Sequence, residues 1–468
     1  MKNMERRIIA ADLGASGGRV ACLAFDGVKL HSEKYAYFKN ISIHQNGHYY
    51  WDLPKIAANI DSAFNECARD NKIDGISACS WGCDFNAVDM HGRSLGLPFT
   101  YRDPMFNGTA HELTRKIGEQ RWRRITGMIP EDRYPLCQLY AIKHMKPEIY
   151  AAADKILFIS DMVHYMLSGE CRTDFTHLSY SMAYDTEKRC ISEEITSASG
   201  IEARLFPLEA PCGSVIGQVS HGAAGVAGAA VSITGGHDTG VVAALYPHDI
   251  PECLLLNCGT WAVLGYLSDK PEFTGGVISF GAACGGYFTA ECIPGMWLLE
   301  ECIHEWEAAG VRCAYEALEN AAQNSKCDAI IDLSHPSLYT PGSMTDKIRG
   351  LAQPGGYSPD SSGDYVRIIY RSLSYRLAKG TRRLSLGSGA KYRHIYFVGG
   401  ASRSEWLCKL LADFSQCVVI TGPSEATMYA NACVQLLSLG YIGSFGDIGQ
   451  IVSESVERRL YLPAVFSS

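Results

Sequence analysis

The segment Val231–Tyr246, with the sequence VSITGGHDTGVVAALY, carries the residues best suited to chemistry. Val231–Thr234 has the β-branched, alternating character of a short strand. Two glycines then release the chain, and the residues from Thr239 onward are typical of a capped helix start. The pattern presents the carboxylate of Asp238, beside His237, in a strand–glycine–helix elbow, where a rigid scaffold can aim a reacting group. Asp238 could act as a general base or only cap the helix, and His237 could bind substrate or only pack against the elbow.

Two glycine-rich hairpins could bind phosphate groups. The first, Asp12–Arg19 (DLGASGGR), joins the predicted strands Ile8–Ala11 and Val20–Phe25. The second lies within Cys253–Leu267 and has Asn257-Cys-Gly-Thr in the corresponding place. Backbone N–H groups of such turns form anion-binding concavities. The chain contains neither G-x-x-x-x-G-K-[ST] nor G-x-G-x-x-G, so neither a P-loop nor a Rossmann site is predicted.

Two further features fit a nucleotide site. Asp12 suits a Mg²⁺ ion held partly through water, because Mg²⁺ takes few carboxylates and keeps much of its hydration; it could equally be a plain turn residue. A third glycine turn, Gly399–Ala401, follows the predicted strand His394–Val398 and precedes a predicted helix, Glu405–Phe414. This turn could accept the nucleoside.

Strands and helices alternate along the chain, which predicts an α/β fold. A chain of 468 residues exceeds one core, so we expect two domains. Because the hairpin plan of Ile8–Phe25 recurs at Cys253–Leu267, the sequence indicates an internal duplication with one hairpin opening each domain. The predicted domains are residues 1–246 and 247–468.

Composition narrows the functional classes. The net charge of −8 argues against non-specific nucleic-acid binding and leaves small-molecule chemistry open. The 18 cysteines include no C-x-x-C pair, which favours a reduced, cytoplasmic protein over a zinc site or a disulfide framework. We expect no signal peptide and no membrane span.

Nine short segments, spread in order over nearly the whole chain, resemble the FGGY carbohydrate kinases and most of all the rhamnulokinase branch of that family. They are DLGASGGRV (12–20), HQNGHYYWD (44–52), SWGCDF (80–85), YRDP (101–104), GGHDTG (235–240), NCGTW (257–261), GMWLLE (295–300), VGGASRSEW (398–406) and GPSEATMYAN (422–431). Each segment alone is weak, but the set is specific.

The resemblance implies a two-domain actin-like ATPase (ribonuclease H-like) fold with the active site in the interdomain cleft. It implies transfer of the γ-phosphate of ATP, with Mg²⁺, to the terminal hydroxyl of a ketose, normally O1 of L-rhamnulose. Asp238 would be the proton acceptor and Asp12 the metal-side carboxylate. The implied ATP contacts are Ala15, Ser16, Gly17, Gly18, Arg19, Thr260, Glu300, Gly400 and Ala401. The implied sugar contacts are Gly82, His237, Asp238 and Thr239, with Gly82 admitting the sugar through its missing side chain.

Departures from the family pattern concern the sugar. Cys292 stands where rhamnulokinases carry an Asn, so an amide that could bond a sugar hydroxyl is missing from the substrate-binding edge. The family's acidic E-G-G turn is replaced by Phe280–Gly286 (FGAACGG). A kinase for another deoxyketose or pentulose, such as L-fuculose or xylulose, is the alternative. A non-catalytic sugar- or nucleotide-binding sensor is the competitor from another class. The sequence gives no oligomeric state.

Overall fold

The fold was analysed in a computed structural model, which describes residues 5–40, 42–69, 71–273 and 276–464. The chain divides into two compact units. The first unit comprises Met1–Tyr246, Leu267–Thr289 and Thr427–Ser455. The second unit comprises Pro247–Tyr266, Ala290–Ala426 and Val456–Ser468. Two later segments thus pack with the N-terminal unit, and the division at residues 246 and 247 stays a prediction.

The described residues form 21 strands and 16 α-helices, numbered here in chain order. The strands are β1 (Arg6–Gly14), β2 (Gly17–Phe25), β3 (Leu30–Lys39), β4 (Ser42–Gln45), β5 (His48–Trp51), β6 (Gly75–Ser80), β7 (Phe85–Val88), β8 (Lys155–Phe158), β9 (Arg172–Thr173), β10 (Tyr184–Asp185), β11 (Cys190–Ile191), β12 (Leu208–Glu209), β13 (Ser214–Gln218), β14 (Ala230–Ile233), β15 (Cys253–Cys258), β16 (Trp261–Ser268), β17 (Ile278–Gly281), β18 (Tyr287–Pro294), β19 (His394–Val398), β20 (Val418–Thr421) and β21 (Leu460–Tyr461). The helices are α1 (Leu53–Ala68), α2 (Thr109–Ile117), α3 (Glu119–Thr126), α4 (Pro135–Met145), α5 (Pro147–Ala152), α6 (Ile159–Ser168), α7 (Phe175–Tyr180), α8 (Glu193–Ser199), α9 (Asp238–Val242), α10 (Trp297–Ala308), α11 (Tyr315–Asn324), α12 (Met344–Ala352), α13 (Ser362–Ser388), α14 (Glu405–Ser415), α15 (Ala426–Ser438) and α16 (Ile448–Ser455).

The first unit is built on a six-stranded sheet with the order β13–β14–β6–β1–β2–β3. Strands β14, β6 and β1 are parallel, whereas β13, β2 and β3 join antiparallel. Every residue of β6 is buried, as expected for a central strand covered on both faces. The carboxyl ends of β1, β6 and β14 therefore meet at one edge of the sheet.

The second unit repeats this plan. Five neighbouring strands of a seven-stranded sheet, β16, β15, β19, β20 and β21, lie in that order, with β15, β19 and β20 parallel and β16 and β21 antiparallel to their neighbours in this group. Order and directions match those of β2, β1, β6, β14 and β13. The duplication predicted from the two glycine hairpins is therefore present at the level of sheet topology.

Two local predictions need correction. Strand β1 extends to Gly14, so Asp12 belongs to the strand and faces Arg19 across the hairpin; only Ala15 and Ser16 form the turn. Helix α9 begins at Asp238, earlier than predicted. Pairing with β2 extends strand β1 to Gly14, and capping by the preceding residue His237 lets helix α9 begin at Asp238. The local sequence pattern shows neither interaction. Among the described residues, no helix combines the length and the apolar character needed to cross a bilayer.

Candidate active site

The carboxyl edge of the first sheet gathers the predicted catalytic segments. The backbone N–H of Ser80, at the end of β6, donates to the carbonyl of Gly236 at 2.7 Å. The next N–H, that of Trp81, donates to the carbonyl of Leu13 in β1 at 3.1 Å. These bonds join the ends of β1 and β6 to the segment after β14. Asp12, Gly82 and Asp238 are thus placed on neighbouring strand ends, the position from which loops of α/β sheets bind ligands.

Asp238 stands at the first position of α9 with its side chain 35% exposed. Its Oδ1 accepts hydrogen bonds from the backbone N–H of Thr239 at 2.5 Å and from the Thr239 hydroxyl at 3.2 Å. Desolvation raises the pKa of the Asp238 carboxyl above its ordinary value, despite the two bonds from Thr239 that lower it. A reachable carboxylate of raised basicity suits proton abstraction from a hydroxyl.

His237 is a neutral imidazole that caps α9. The side chain is buried, and its Nδ1 accepts the N–H of Gly240 at 3.1 Å. Desolvation lowers the pKa of His237 well below its ordinary value. Because Nδ1 is an acceptor in this neutral ring, the proton resides on Nε2, which lies 3.7 Å from Oδ1 of Asp238. His237 therefore caps the helix through Nδ1 and places the protonated Nε2 near the candidate base.

The ring of His237 is packed on three sides. Tyr180 lies 4.2 Å from it between centroids, and Phe280 meets it edge-on at 5.3 Å. On the third side is Gly82, where an added Cβ would lie 2.1 Å from Cδ2 of His237. The space that the sequence argument reserved for sugar is filled by the imidazole. A sugar contact at Gly82, through its backbone, stays a prediction.

The segment around Gly82 is held in place by the buried carboxylate of Asp84. Oδ2 of Asp84 accepts the indole N–H groups of Trp51 at 2.7 Å and Trp81 at 2.9 Å, and its Oδ1 accepts the amide of Gln138 at 2.8 Å. Burial raises the pKa of Asp84 to about 6. This network joins Trp51 of the HQNGHYYWD motif to Trp81 of the SWGCDF motif. The Trp81 side chain therefore donates a hydrogen bond in addition to packing in the core.

The first hairpin is the predicted phosphate turn, and packing within the sheet gives an independent reason for its glycines. Ala15 and Ser16 form its two-residue tip. An added Cβ at Gly17 would lie 2.6 Å from the Phe38 carbonyl, and one at Gly18 would lie 2.1 Å from the Phe38 ring. Strand β3 therefore requires glycine at both positions, whether or not a phosphate binds. Asp12, half-buried at the end of the strand, offers the oxygen ligands that Mg²⁺ prefers.

In the second unit, the predicted ATP contacts from two segments adjoin. The hydroxyl of Thr260, in the β15–β16 turn, lies 3.4 Å from Oε2 of Glu300 in α10. The carbonyl of Thr260 accepts the N–H of Gly295 at 2.9 Å, which fixes the segment leading into α10 against the hairpin.

The third glycine turn packs against the same hairpin. An added Cβ at Gly399 would lie 2.8 Å from Oδ1 of Asn257, and the φ of Gly399 is +87°, so glycine is required there. Gly400 is exposed, and Ala401 lies in a 3₁₀ turn without a positive φ, a conformation that alanine adopts without strain. Cys292 lies half-buried in β18, within the second unit, and its sugar role stays a prediction.

The structure also reveals contacts that the sequence argument missed. Asp174 and Thr176, about 60 residues before the elbow, hydrogen-bond its backbone at Gly236 and His237. The Asp174 pattern was readable only as a helix N-cap. No local signal indicated what else it touches.

Comparison with known proteins agrees with this geometry. The model of the FGGY family of carbohydrate kinases, N-terminal domain, matches residues 7–245, and that of the C-terminal domain matches residues 254–439. A rhamnulokinase from Bacteroides thetaiotaomicron is 28% identical over 470 residues, covering 98% of this chain and 96% of its own length. A rhamnulokinase from Pectobacterium carotovorum is 26% identical over 469 residues, covering 98% and 93%.

Solved structures give the same fold. Xylulose kinase from Lactobacillus acidophilus superposes with a TM-score of 0.81 at 17% identity, covering 98% of this chain and 94% of that one. Plasmodium falciparum glycerol kinase with ADP gives 0.78 at 14% identity, covering 98% and 94%. The α/β fold is of the two-domain actin-like ATPase type. Because the two family models together match well over half of its residues, the chain belongs to the FGGY family of carbohydrate kinases.

Proposed function

We propose that this protein is an ATP- and Mg²⁺-dependent ketose kinase that phosphorylates the terminal hydroxyl of L-rhamnulose to give L-rhamnulose 1-phosphate. The observation that carries the proposal is Asp238, a partly exposed carboxylate of raised pKa on a fixed elbow in a chain of this kinase family. The choice of sugar is supported by rhamnulokinases that align over nearly the full length.

In this proposal Asp238 accepts the proton of the attacking sugar hydroxyl while that oxygen bonds to the γ-phosphorus; the bond from the γ-phosphorus to the β,γ-bridging oxygen breaks, and ADP leaves with that oxygen. Phosphoryl transfer depends chiefly on positioning and charge neutralisation, so one well-placed carboxylate is sufficient as the base. The backbone N–H and the hydroxyl of Thr239 donate to Oδ1 of the carboxylate and orient it, and Nε2 of His237 lies 3.7 Å from the same oxygen. Asp12 would hold Mg²⁺, which when bound neutralises charge on the phosphate oxygens.

The nucleotide would be held by residues of both glycine hairpins and of the third turn. The first hairpin contributes the tip residues Ala15 and Ser16. In the second unit, Thr260 and Glu300 adjoin, and Gly400 is exposed within the third turn, whose Gly399 packs on Asn257.

A kinase for another ketose, such as L-fuculose or xylulose, is the second candidate, and Cys292 is the observation that favours it. The missing amide removes one hydrogen bond that a sugar hydroxyl would need, and losses of this kind alter substrate preference strongly. A non-catalytic sensor would have no use for Asp238 as a base.

The test is ADP release from ATP and Mg²⁺ over a panel of L-rhamnulose, L-fuculose, xylulose and ribulose, with Asp238→Asn alongside. We expect turnover with L-rhamnulose and a loss of roughly 10²–10⁴-fold in kcat for Asp238→Asn, the typical worth of general base catalysis. Asp61→Asn is the matched control, because Asp61 is also half-buried with a pKa raised by burial. Near-normal activity of Asp238→Asn would contradict the base assignment, and binding without turnover on any sugar would favour the sensor.

A further inference from the structure

Asp174 is a buried carboxylate that binds the backbone of the elbow. The side chain is fully buried, and its Oδ2 accepts the N–H of Gly236 at 2.7 Å. Its Oδ1 accepts the backbone N–H of Thr176 at 2.8 Å and the Thr176 hydroxyl at 2.5 Å. The Asp174 side chain therefore joins the backbone of Gly236 to the backbone at the start of α7.

Thr176 extends this support to the residue next to the base. Its hydroxyl donates to Asp174 and accepts the N–H of His237 at 3.0 Å. On the other side of Asp238, an added Cβ at Gly240 would lie 2.6 Å from Cβ of Thr176. The fully buried Thr176 side chain therefore contacts the elbow both before and after Asp238.

Without Asp174 and Thr176, two backbone N–H groups of the elbow would lose their hydrogen-bond acceptors. Gly236 and His237 precede α9, so their N–H groups have no place in the helical ladder. A buried N–H left without an acceptor loses its hydrogen bonds to water without replacement, which destabilises the conformation. Gly235, just before them, has a φ of +112°, which only glycine adopts readily. The elbow therefore depends for its geometry on the side chains of Asp174, the N-cap of α7, and of Thr176 in its first turn.

We propose that Asp174 and Thr176 are positioning residues for Asp238. This inference rests on the proposed function, because it assigns the pair to the base of that reaction. The residues do not touch substrate; they fix the φ and ψ angles of Gly236 and His237, and so the direction in which the Asp238 carboxylate points. Since a misplacement of about 1 Å at a reacting group can cost about 10²-fold in rate, a loosened elbow lowers kcat.

The experiment compares Thr176→Val, Thr176→Ser and Thr126→Val in the full-length protein. Valine keeps the shape of Thr176 and removes its hydroxyl, and serine keeps the hydroxyl. Thr126 is an equally buried threonine whose hydroxyl donates to the Trp122 carbonyl at 3.0 Å and accepts the N–H of Met128 at 3.3 Å. It matches the bonding of Thr176 in a helix that is not part of the elbow.

We expect Thr176→Val to lower kcat by roughly 10–100-fold with KM for ATP within about twofold. Thr176→Ser should restore kcat to within about threefold, and Thr126→Val should keep the original kcat at a similar loss of Tm. A kcat for Thr176→Val no lower than that of Thr126→Val would overturn the proposal. So would a serine variant as impaired as the valine variant.

A second measurement separates this inference from the kinase assignment. Amide hydrogen exchange over residues 231–246, followed by mass spectrometry, reads the elbow directly and needs no substrate. We expect exchange there to be at least about tenfold faster in Thr176→Val and unchanged in Thr126→Val. Equal protection in both variants would refute the positioning role. Absence of turnover in the original protein, with the exchange difference present, would refute the kinase assignment and leave the support of the elbow standing.

Discussion

Gly82→Ala tests whether the glycine beside Trp81 exists for the sugar or for His237. The new Cβ would lie 2.1 Å from Cδ2 of His237 and 2.9 Å from Cδ1 of Tyr180. Carbon atoms in contact are separated by about 3.5 Å, so the imidazole must retreat by roughly 1.4 Å. Tyr180 and Phe280 occupy the ring's other sides, which leaves little room. Overpacking of this kind costs about 1–3 kcal/mol, and each kcal/mol lowers Tm by about 2–4 °C in a domain of 150–250 residues.

The catalytic effect is expected to exceed the loss of stability. His237 adjoins Asp238 and caps α9 through Gly240, so a shift of its ring moves the candidate base. A displacement of about 1 Å corresponds to roughly 10²-fold in kcat. KM for ATP should change little, because Thr260 and Glu300 belong to the other unit. The assay is ADP release at saturating ketose, with Tm recorded on the same samples.

Two variants make the result decisive. Gly449→Ala, in α16 of the same unit, adds a methyl group where nothing lies within 4 Å, and should keep both kcat and Tm. In the background of His237→Asn, whose smaller side chain vacates the space, Gly82→Ala should cost far less, and the double-mutant cycle measures that coupling. Additive effects, or a change confined to KM for the ketose, would refute the packing explanation and return Gly82 to the role of admitting the sugar.

Two further outcomes are expected. Asp84→Asn should lower the free energy of unfolding by about 1–3 kcal/mol at pH 7, because one amide N–H₂ must face a donor of Trp51, Trp81 or Gln138. The pKa of Asp84 is about 6 in the folded protein and about 3.9 in an unfolded chain, so protonation of Asp84 favours the folded state. As the pH falls from 7 to 5, the original protein should therefore gain stability relative to Asp84→Asn. Denaturant unfolding at each pH measures this difference. Glu300→Gln should raise KM for ATP several-fold while calorimetric ketose binding is unchanged, and an unaltered KM would remove Glu300 from the nucleotide site.

Local patterns in the sequence were sufficient for the elements that carry the site. The strand His394–Val398 has the predicted bounds, and the two glycine hairpins are present in equivalent sheets. Alternation, glycine turns and helix caps report interactions between neighbours in sequence, so they locate strand ends and elbows. The motif positions of Asp12 and Asp238 then follow, because each motif sits at the end of a strand.

The network around the elbow was beyond such patterns. Asp174 reaches Gly236 across 62 residues, and Gly82 meets His237 across the sheet edge. A hydrogen bond between a buried carboxylate and a distant backbone N–H produces no periodic pattern in the sequence, because the fold alone brings the two groups together. The same limit applies at Gly82: a glycine in a motif shows that space is needed, but only the fold shows that His237 lies there, and the sugar contact stays a prediction.

The turn Phe280–Gly286, which replaces the family's E-G-G turn, lies beside the elbow in the structure. Phe280 packs against the ring of His237, and the N–H of Ala283 donates to the carbonyl of Gly240 at 3.0 Å. The Ala283 side chain also packs against Gly235, since a Cβ added at Gly235 would lie 2.9 Å from the Cβ of Ala283. This turn therefore packs on the elbow, and its apolar residues help to keep His237 buried and neutral. We therefore expect a change there to act on the candidate base Asp238 and on kcat, and we assign the proposed effect on the choice of ketose to Cys292 alone.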